Sequence, residues 1–187
     1  MRLILADLEH PERARMEACV RDVYRDVYGA RITSFLPTLL GAVGGRDRVF
    51  GVIGTGAATS AGPLLVESYL DRPLEVVLSE AVGDSIPRAA VAEVGNLAAR
   101  RPGVGRALVF GLARVLQEQG LDWVVFAGTS SLVDRFRRSG DEPIDLAEAD
   151  GARLGPARIE WGSYYATAPR VTAVRLDVLL RTNEVAA

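Results

Sequence analysis

The chain contains no lysine. All 22 of its basic residues are arginine, which removes Schiff-base and amine-nucleophile chemistry and the Gly-Lys pair of a P-loop. Cysteine is almost missing too. Cys19 stands alone, so no internal disulfide framework forms, and mid-helix it reads as a packing residue. With His10 the only histidine, no His or Cys cluster has metal-ligand spacing, and no metal is expected. No apolar run approaches the ~20 residues of a spanning helix, and the short apolar stretch before Asp7 is less than a secretory signal needs. Neither sign of charge dominates: 22 basic residues face 24 acidic ones, which argues against a global nucleic-acid binder. A soluble, cytoplasmic protein without membrane insertion is the expectation.

What is present describes an ordinary globular chain. Its 187 residues suit one domain with a real core, and nearly half of them are apolar. The pattern predicts strands at 2–5, 48–58, 89–98, 123–127 and 161–174, the glycine-rich segment 51–62 blurring the end of the second. Helices are expected at 11–28 (stopped by Gly29), 34–40, 73–81, 103–119 and 130–138. This alternation places the chain in the α/β or α+β class.

The most informative stretch is VAEVGNLAARRPGVGR, residues 91–106. A β-rich run ends in a turn that carries Arg100, Gly103 and Gly105 in an R-x-x-G-x-G spacing, and a helical run begins there. Glycines let a backbone approach a ligand, and a helix N-terminus supplies amides and partial positive charge, so the turn can cradle a pyrophosphate. A dinucleotide fold would need G-x-G-x-x-G and an acidic residue about twenty positions on, and neither is present.

At this unit the chain resembles the acyl-CoA-binding core of the GNAT acyltransferases, and most closely the thermostable hemolysin family. That likeness is carried in order by HPERARMEACVRDVYRDVYGA, PLLVESYLDRPLE, AEVGNLAA, LDWVVFAGTSSLVDRF and WGSYYATAPRV. The EVGNLA segment is also similar to a strand of acyl-homoserine-lactone synthases. Asp134 departs from the Asn expected of the family. The resemblance implies one three-layer GNAT-like domain over 1–187, with a mixed central sheet, splayed parallel strands and flanking helices. It implies transfer of an acyl group to an amine acceptor in specialised metabolism. The donor would be acyl-CoA or a phosphopantetheine-linked acyl carrier protein, with aminoacyl-tRNA a further candidate. The family's name suggests lysis, and a non-catalytic or membrane-active protein of the same fold is the alternative. The oligomeric state stays open, a homodimer included.

On that reading Asn96, Leu97, Arg100, Arg101, Gly103, Val104, Gly105 and Arg106 form the donor site. Arg135, Arg137 and Arg138 either meet a phosphate-bearing donor or form a solvated helix face. Glu93, a carboxyl in an apolar strand, is the leading general-base candidate; its competing role is a structural carboxylate. In a regular strand Asn96 would lie on the face opposite Glu93. Tyr164 and Tyr165 are candidates to protonate the departing thiolate, and strand alternation would let only one of them face the site. Tyr69, Glu75 and Trp161 are candidate acceptor-pocket residues, with Asp71 beside them, though capping and packing are equally open to them.

Overall fold

A computed structural model describes residues 1–45, 48–59 and 63–184; the Ser60–Gly62 part of the glycine-rich segment lies outside them. The strands are β1 (Arg2–Ala6), β2 (Thr38–Val43), β3 (Val49–Ala57), β4 (Val91–Ala99), β5 (Trp123–Gly128), β6 (Ile144–Glu148) and β7 (Arg170–Arg175). The helices are α1 (Arg13–Tyr28), α2 (Leu74–Val82), α3 (Val104–Glu118), α4 (Ser130–Arg138) and α5 (Leu176–Glu184). Among the described residues the strands form one sheet in the order β1-β2-β3-β4-β5-β7-β6.

Every neighbouring pair is antiparallel except β4 and β5. That parallel ladder joins only Val91–Glu93 to Trp123–Val125. Beyond it β4 continues along β3 to Ala99, while β5 continues along β7 to Gly128. The two strands therefore splay, as the family resemblance implied. α3 connects them, as a parallel pair requires.

Side-chain alternation sorts the core into two faces. Ile53, Ala92, Val124 and Phe126 pack against Leu108, Leu112 and Leu116, spaced by four along α3, and against Leu176 and Leu179 of α5. On the other face Leu39 and Val52 pack with Met16 and Val20 of α1. Further along that face Val91, Trp123 and Val125 pack with Leu74 and Leu78 of α2. Helices on both sides of a sheet give the three layers. Gly29 takes the left-handed conformation (φ 64°) that ends α1.

Two expected elements are different. Residues 34–40 do not form a helix: the chain is irregular over 34–37 and enters β2 at Thr38. Pro37 has no N–H for a helical ladder, and the buried Arg13 guanidinium binds the carbonyls of Leu36 and Pro37 at 2.8 Å each. Leu39–Val43 then bury between β1 and β3. Residues 161–174 are not one strand either. Short 3₁₀ turns run through Gly151–Trp161 and Tyr164–Thr167, and only Arg170–Arg175 is extended. Gly162 (φ 54°) and Ala168 (φ 48°) are left-handed, and Pro169 follows, so the pleat cannot propagate through this block. α1 also starts two residues past Pro11, which sits in the preceding turn.

Candidate active site

The glycine turn opens α3 as the sequence suggested. Gly103 is the residue before the helix, at φ 81°, a conformation L side chains rarely adopt. Gly103, Gly105, Arg106, Arg101 and Leu97 line a cavity of about 620 Å³. First-turn amides have no acceptor inside their own helix, so polar donors gather at this wall. Arg101 lies over the Phe50 ring at 4.3 Å and Arg106 over Phe110 at 5.6 Å, contacts that hold both cations near the turn. Arg135 of α4 joins them in the same cavity, whereas Arg137 pairs with Asp134 on the exposed helix face. The α4 cap comes from Thr129, whose hydroxyl accepts the Leu132 amide, so Asp134 has no capping role.

Two expected donor ligands are placed otherwise. Arg100 borders the cavity, but its guanidinium turns to α1, donating to Cys19 Sγ at 3.4 Å and Asp22 at 2.8 Å. Val104 buries its side chain in the core and its amide closes the turn on the Arg101 carbonyl at 3.3 Å. The Cys19 thiol is buried and its pKa is raised by that burial, in keeping with a packing role.

A second cavity, about 210 Å³, occupies the splay itself. Val94, Gly95 and Leu97 of β4 face Phe126 and Ala127 of β5 across it, and Leu112, Leu116 and Leu179 close it from below. Leu97, Val109, Leu132 and Phe136 belong to this cavity and to the glycine-turn cavity alike, so the two adjoin. Its walls are apolar side chains apart from Tyr24, Tyr28, Thr129 and Tyr164.

The third cavity holds Glu93. It measures about 410 Å³ and lies on the α1 face of the sheet. It shares Tyr24, Val94, Gly95, Ala127 and Tyr164 with the splay cavity. Glu93 is 4% exposed, and its carboxylate accepts the amides of Leu65 (2.9 Å) and Val66 (3.1 Å). Those two bonds favour the ionised form, but burial outweighs them and pushes the carboxyl up to about 7. A group that exchanges its proton near neutrality suits acid–base work.

Asn96 shares this cavity with Glu93, contrary to the alternation argument. A bulge in β4 sets Gly95–Ala98 against Gly54–Val52, one extra residue on the β4 side. Asn96 takes φ 50°, a value its short polar side chain tolerates. The bulge shifts the side-chain alternation, and Asn96 Oδ1 accepts the Leu36 amide at 2.9 Å. Asn96 therefore ties the irregular 34–37 segment to the site and is absent from the glycine-turn cavity.

The tyrosines obey no strand rule, because their block is 3₁₀. Tyr164 lines both the splay and the Glu93 cavity, and its hydroxyl donates to the Ala127 carbonyl at 2.7 Å. Burial raises its pKa far above the usual tyrosine range. Tyr165 meets Tyr69 hydroxyl to hydroxyl at 2.6 Å, and Tyr69 borders the Glu93 cavity. Trp161 borders it as well, in ring contact with Tyr24, Tyr164 and Tyr165.

Glu75 is not in this cavity. It shares Arg88 with Glu67, at 2.8 and 2.6 Å, and Asp71 pairs with Arg153. Arg88 holds the Glu67 carboxyl down at about 2, with the Leu64 and Leu74 amides assisting. A depressed folded pKa adds stability above the unfolded value, and that stability is lost as pH falls toward 2. Arg88→Met should therefore cost roughly 1–2 kcal/mol at pH 7 and markedly less at pH 3, as read by denaturant melts at both.

Sequence reasoning missed Tyr24 and the amides of Leu65 and Val66. Tyr24 sits within the family-like DVYRDVYGA block, the one available signal; backbone donors leave none.

A seven-stranded mixed sheet with one splayed parallel pair, a glycine turn at the head of α3 and a cavity through the splay define a GNAT-like acyltransferase fold. The chain belongs to the thermostable hemolysin family, whose model matches residues 6–179. Solved structures agree on the fold. TofI in a ternary complex with an inhibitor and MTA superposes at TM-score 0.63 and 13% identity, over 98% of this chain and 97% of that one. FeeM, an N-acyl amino acid synthase from uncultured soil microbes, gives 0.63 and 18% over 95% and 92%. BjaI, a CoA-dependent acyl-homoserine lactone synthase with SAM and isopentyl-CoA, gives 0.62 and 18% over 97% and 88%. No curated protein sequence matches the chain.

Proposed function

We propose that the chain, as one domain over residues 1–187, transfers an acyl group from a CoA or carrier-protein thioester to an amine. One observation carries this reading. Three cavities adjoin in series, from the glycine turn, through an apolar space in the splay, to a buried carboxyl. Each part of a two-substrate acyl transfer has its place there. The donor's pyrophosphate sits on the α3 amides at Gly105 and Arg106, with Arg101, Arg106 and Arg135 adding charge. Its pantetheine arm follows Leu97 into the splay, and the acyl chain fills the apolar cavity. Beyond Glu93, β4 has no β5 partner, so backbone amides facing the gap are available to the developing oxyanion.

The amine approaches from the Glu93 side. Its nitrogen attacks the thioester carbon, and Glu93 takes the proton the nitrogen releases. The C–S bond then breaks, and that proton goes to the departing sulfur. Thioester plus amine gives amide plus thiol, with nothing oxidised or reduced. Tyr164 keeps β5 in place through Ala127, a positioning role; the Tyr69–Tyr165 pair lies further out. FeeM is an N-acyl amino acid synthase and BjaI a CoA-dependent acyl-homoserine lactone synthase, and this reading draws on both. The family name would point to lysis, yet among the described residues no helix is long and apolar enough to cross a membrane.

The test is thiol release and product mass with acyl-CoAs and acyl carrier proteins of graded chain length, each with a mixture of amines. Transfer should peak at one chain length. Ala113→Phe, at the floor of the splay cavity, should move the peak to shorter chains. Gly103→Asp should raise the donor KM at least tenfold, because a carboxylate then faces the pyrophosphate and the left-handed turn is strained. Absence of thiol release from every donor, with liposome leakage in its place, would overturn the reading.

A further inference from the structure

The Glu93 cavity has a chemical bias of its own. Five aromatic side chains, Tyr24, Phe35, Tyr69, Trp161 and Tyr164, line it in a chain only 6% aromatic. The one ionisable acid on its wall is Glu93, and no arginine lines it among the described residues. Since the chain has no lysine and its one histidine, His10, is not on this wall, only an arginine could pair with a carboxylate by charge here. The arginine built into the wall behind it, Arg13, is engaged: each of its three guanidinium nitrogens donates, to Glu17 and to the carbonyls of Leu36 and Pro37. Arg153 and Arg88 are likewise paired to acids.

From this lining we infer that the acceptor is an arylalkylamine without an α-carboxylate. The inference rests on the acyl-transfer reading for what is done to the amine, and on the cavity alone for what fits. An ammonium or amine group is drawn to the Glu93 carboxylate and to aromatic faces. An aromatic body exchanges water for ring contacts on Trp161, Tyr24 and Phe35. An α-carboxylate would enter an apolar cavity beside a like charge with no cation to meet it, and an unpaired charge in such a place is strongly disfavoured. The free amino acid is thus rejected by the same walls that accept its decarboxylated form.

Matched pairs test this directly. Phenethylamine and tyramine are compared with phenylalanine and tyrosine as acceptors at saturating acyl donor, with hexylamine as the aliphatic control. The amines should exceed their amino acids in kcat/KM at least tenfold, and phenethylamine should exceed hexylamine. Amino acids equal to or better than the amines, or hexylamine equal to phenethylamine, would overturn the inference. Calorimetric titration of the same ligands into the wild-type protein separates the two readings. If nothing is acylated but phenethylamine binds at least tenfold tighter than phenylalanine, the cavity assignment stands and acyl transfer falls. If neither binds, or both bind alike, the assignment falls. Ser68→Arg, at the exposed edge of the cavity, supplies the missing cation and should narrow the amine-to-amino-acid ratio at least tenfold; an unchanged ratio with the amino acid still excluded would count against the charge argument.

Discussion

Glu93→Gln should lower the rate of acyl transfer by roughly 10²–10⁴-fold, with the far-ultraviolet spectrum of the wild type retained. The carboxyl is buried, and its two oxygens are held by the Leu65 and Val66 amides. An amide of the same shape keeps one of those acceptor contacts but cannot take a proton from the amine. The variant should therefore bind donor normally and fail at the chemical step, so kcat falls while the donor KM holds. The pH profile gives a second readout. Burial pushes this carboxyl up to about 7, and the ionised form is the base. Activity should rise with pH through about 7 and level off, and the residual activity of the variant should lack that limb. Stability moves the opposite way. A folded pKa raised above the unfolded value contributes stability below about 4.5 that is lost as pH rises through about 7. The wild type should thus lose melting temperature between pH 5 and 8 from this group, a slope missing in Glu93→Gln. A variant with wild-type turnover would remove Glu93 from the reaction.

Gly162→Ala is expected to be the most damaging single-atom change to the fold around the site. Gly162 has φ 54° and ψ −127°, a conformation open to glycine. A Cβ there would run into the carbonyl oxygen of Tyr28, which already accepts the Ser163 amide at 2.8 Å. Three residues past Tyr28, the Arg31 amide donates to the Glu160 carbonyl at 2.6 Å. The clash is backbone on backbone, so no side chain can swing away to relieve it. Strain of this kind costs about 3 kcal/mol, or roughly 6–12 °C of melting temperature in a chain of this length. Because this clamp holds Trp161 and Tyr164 against Tyr24, acceptor affinity should fall further than donor affinity. Equal melting points for the variant and wild type would show that the backbone shifts freely here.

Some of this was readable residue by residue. The stripe Leu108, Leu112, Leu116 announced α3, and Gly29 announced the end of α1, because both signals are local. The glycine turn was readable for the same reason: strand, Gly103 and helix are contiguous. Glu93 stood out as a carboxyl in an apolar run. Strand alternation does not persist throughout. It broke at Asn96, where a bulge turned two residues toward one cavity, and at Tyr164 and Tyr165, where left-handed Gly162 and Ala168 replaced strand with 3₁₀ turns. Residues 38–40 went to strand because β1 and β3 were waiting on either side, a preference no local window contains.

By itself the sequence determined the class of fold, the position of the glycine turn and the presence of a carboxyl in an apolar strand, since each is written in neighbouring residues with a fixed period or a fixed backbone need. Tertiary structure alone decided that Arg100 turns to Asp22, that Glu75 belongs to Arg88, and that Tyr24, Trp161 and Tyr164 converge on Glu93. Those pairings join residues far apart in the chain, and which partner wins depends on burial and distance after folding.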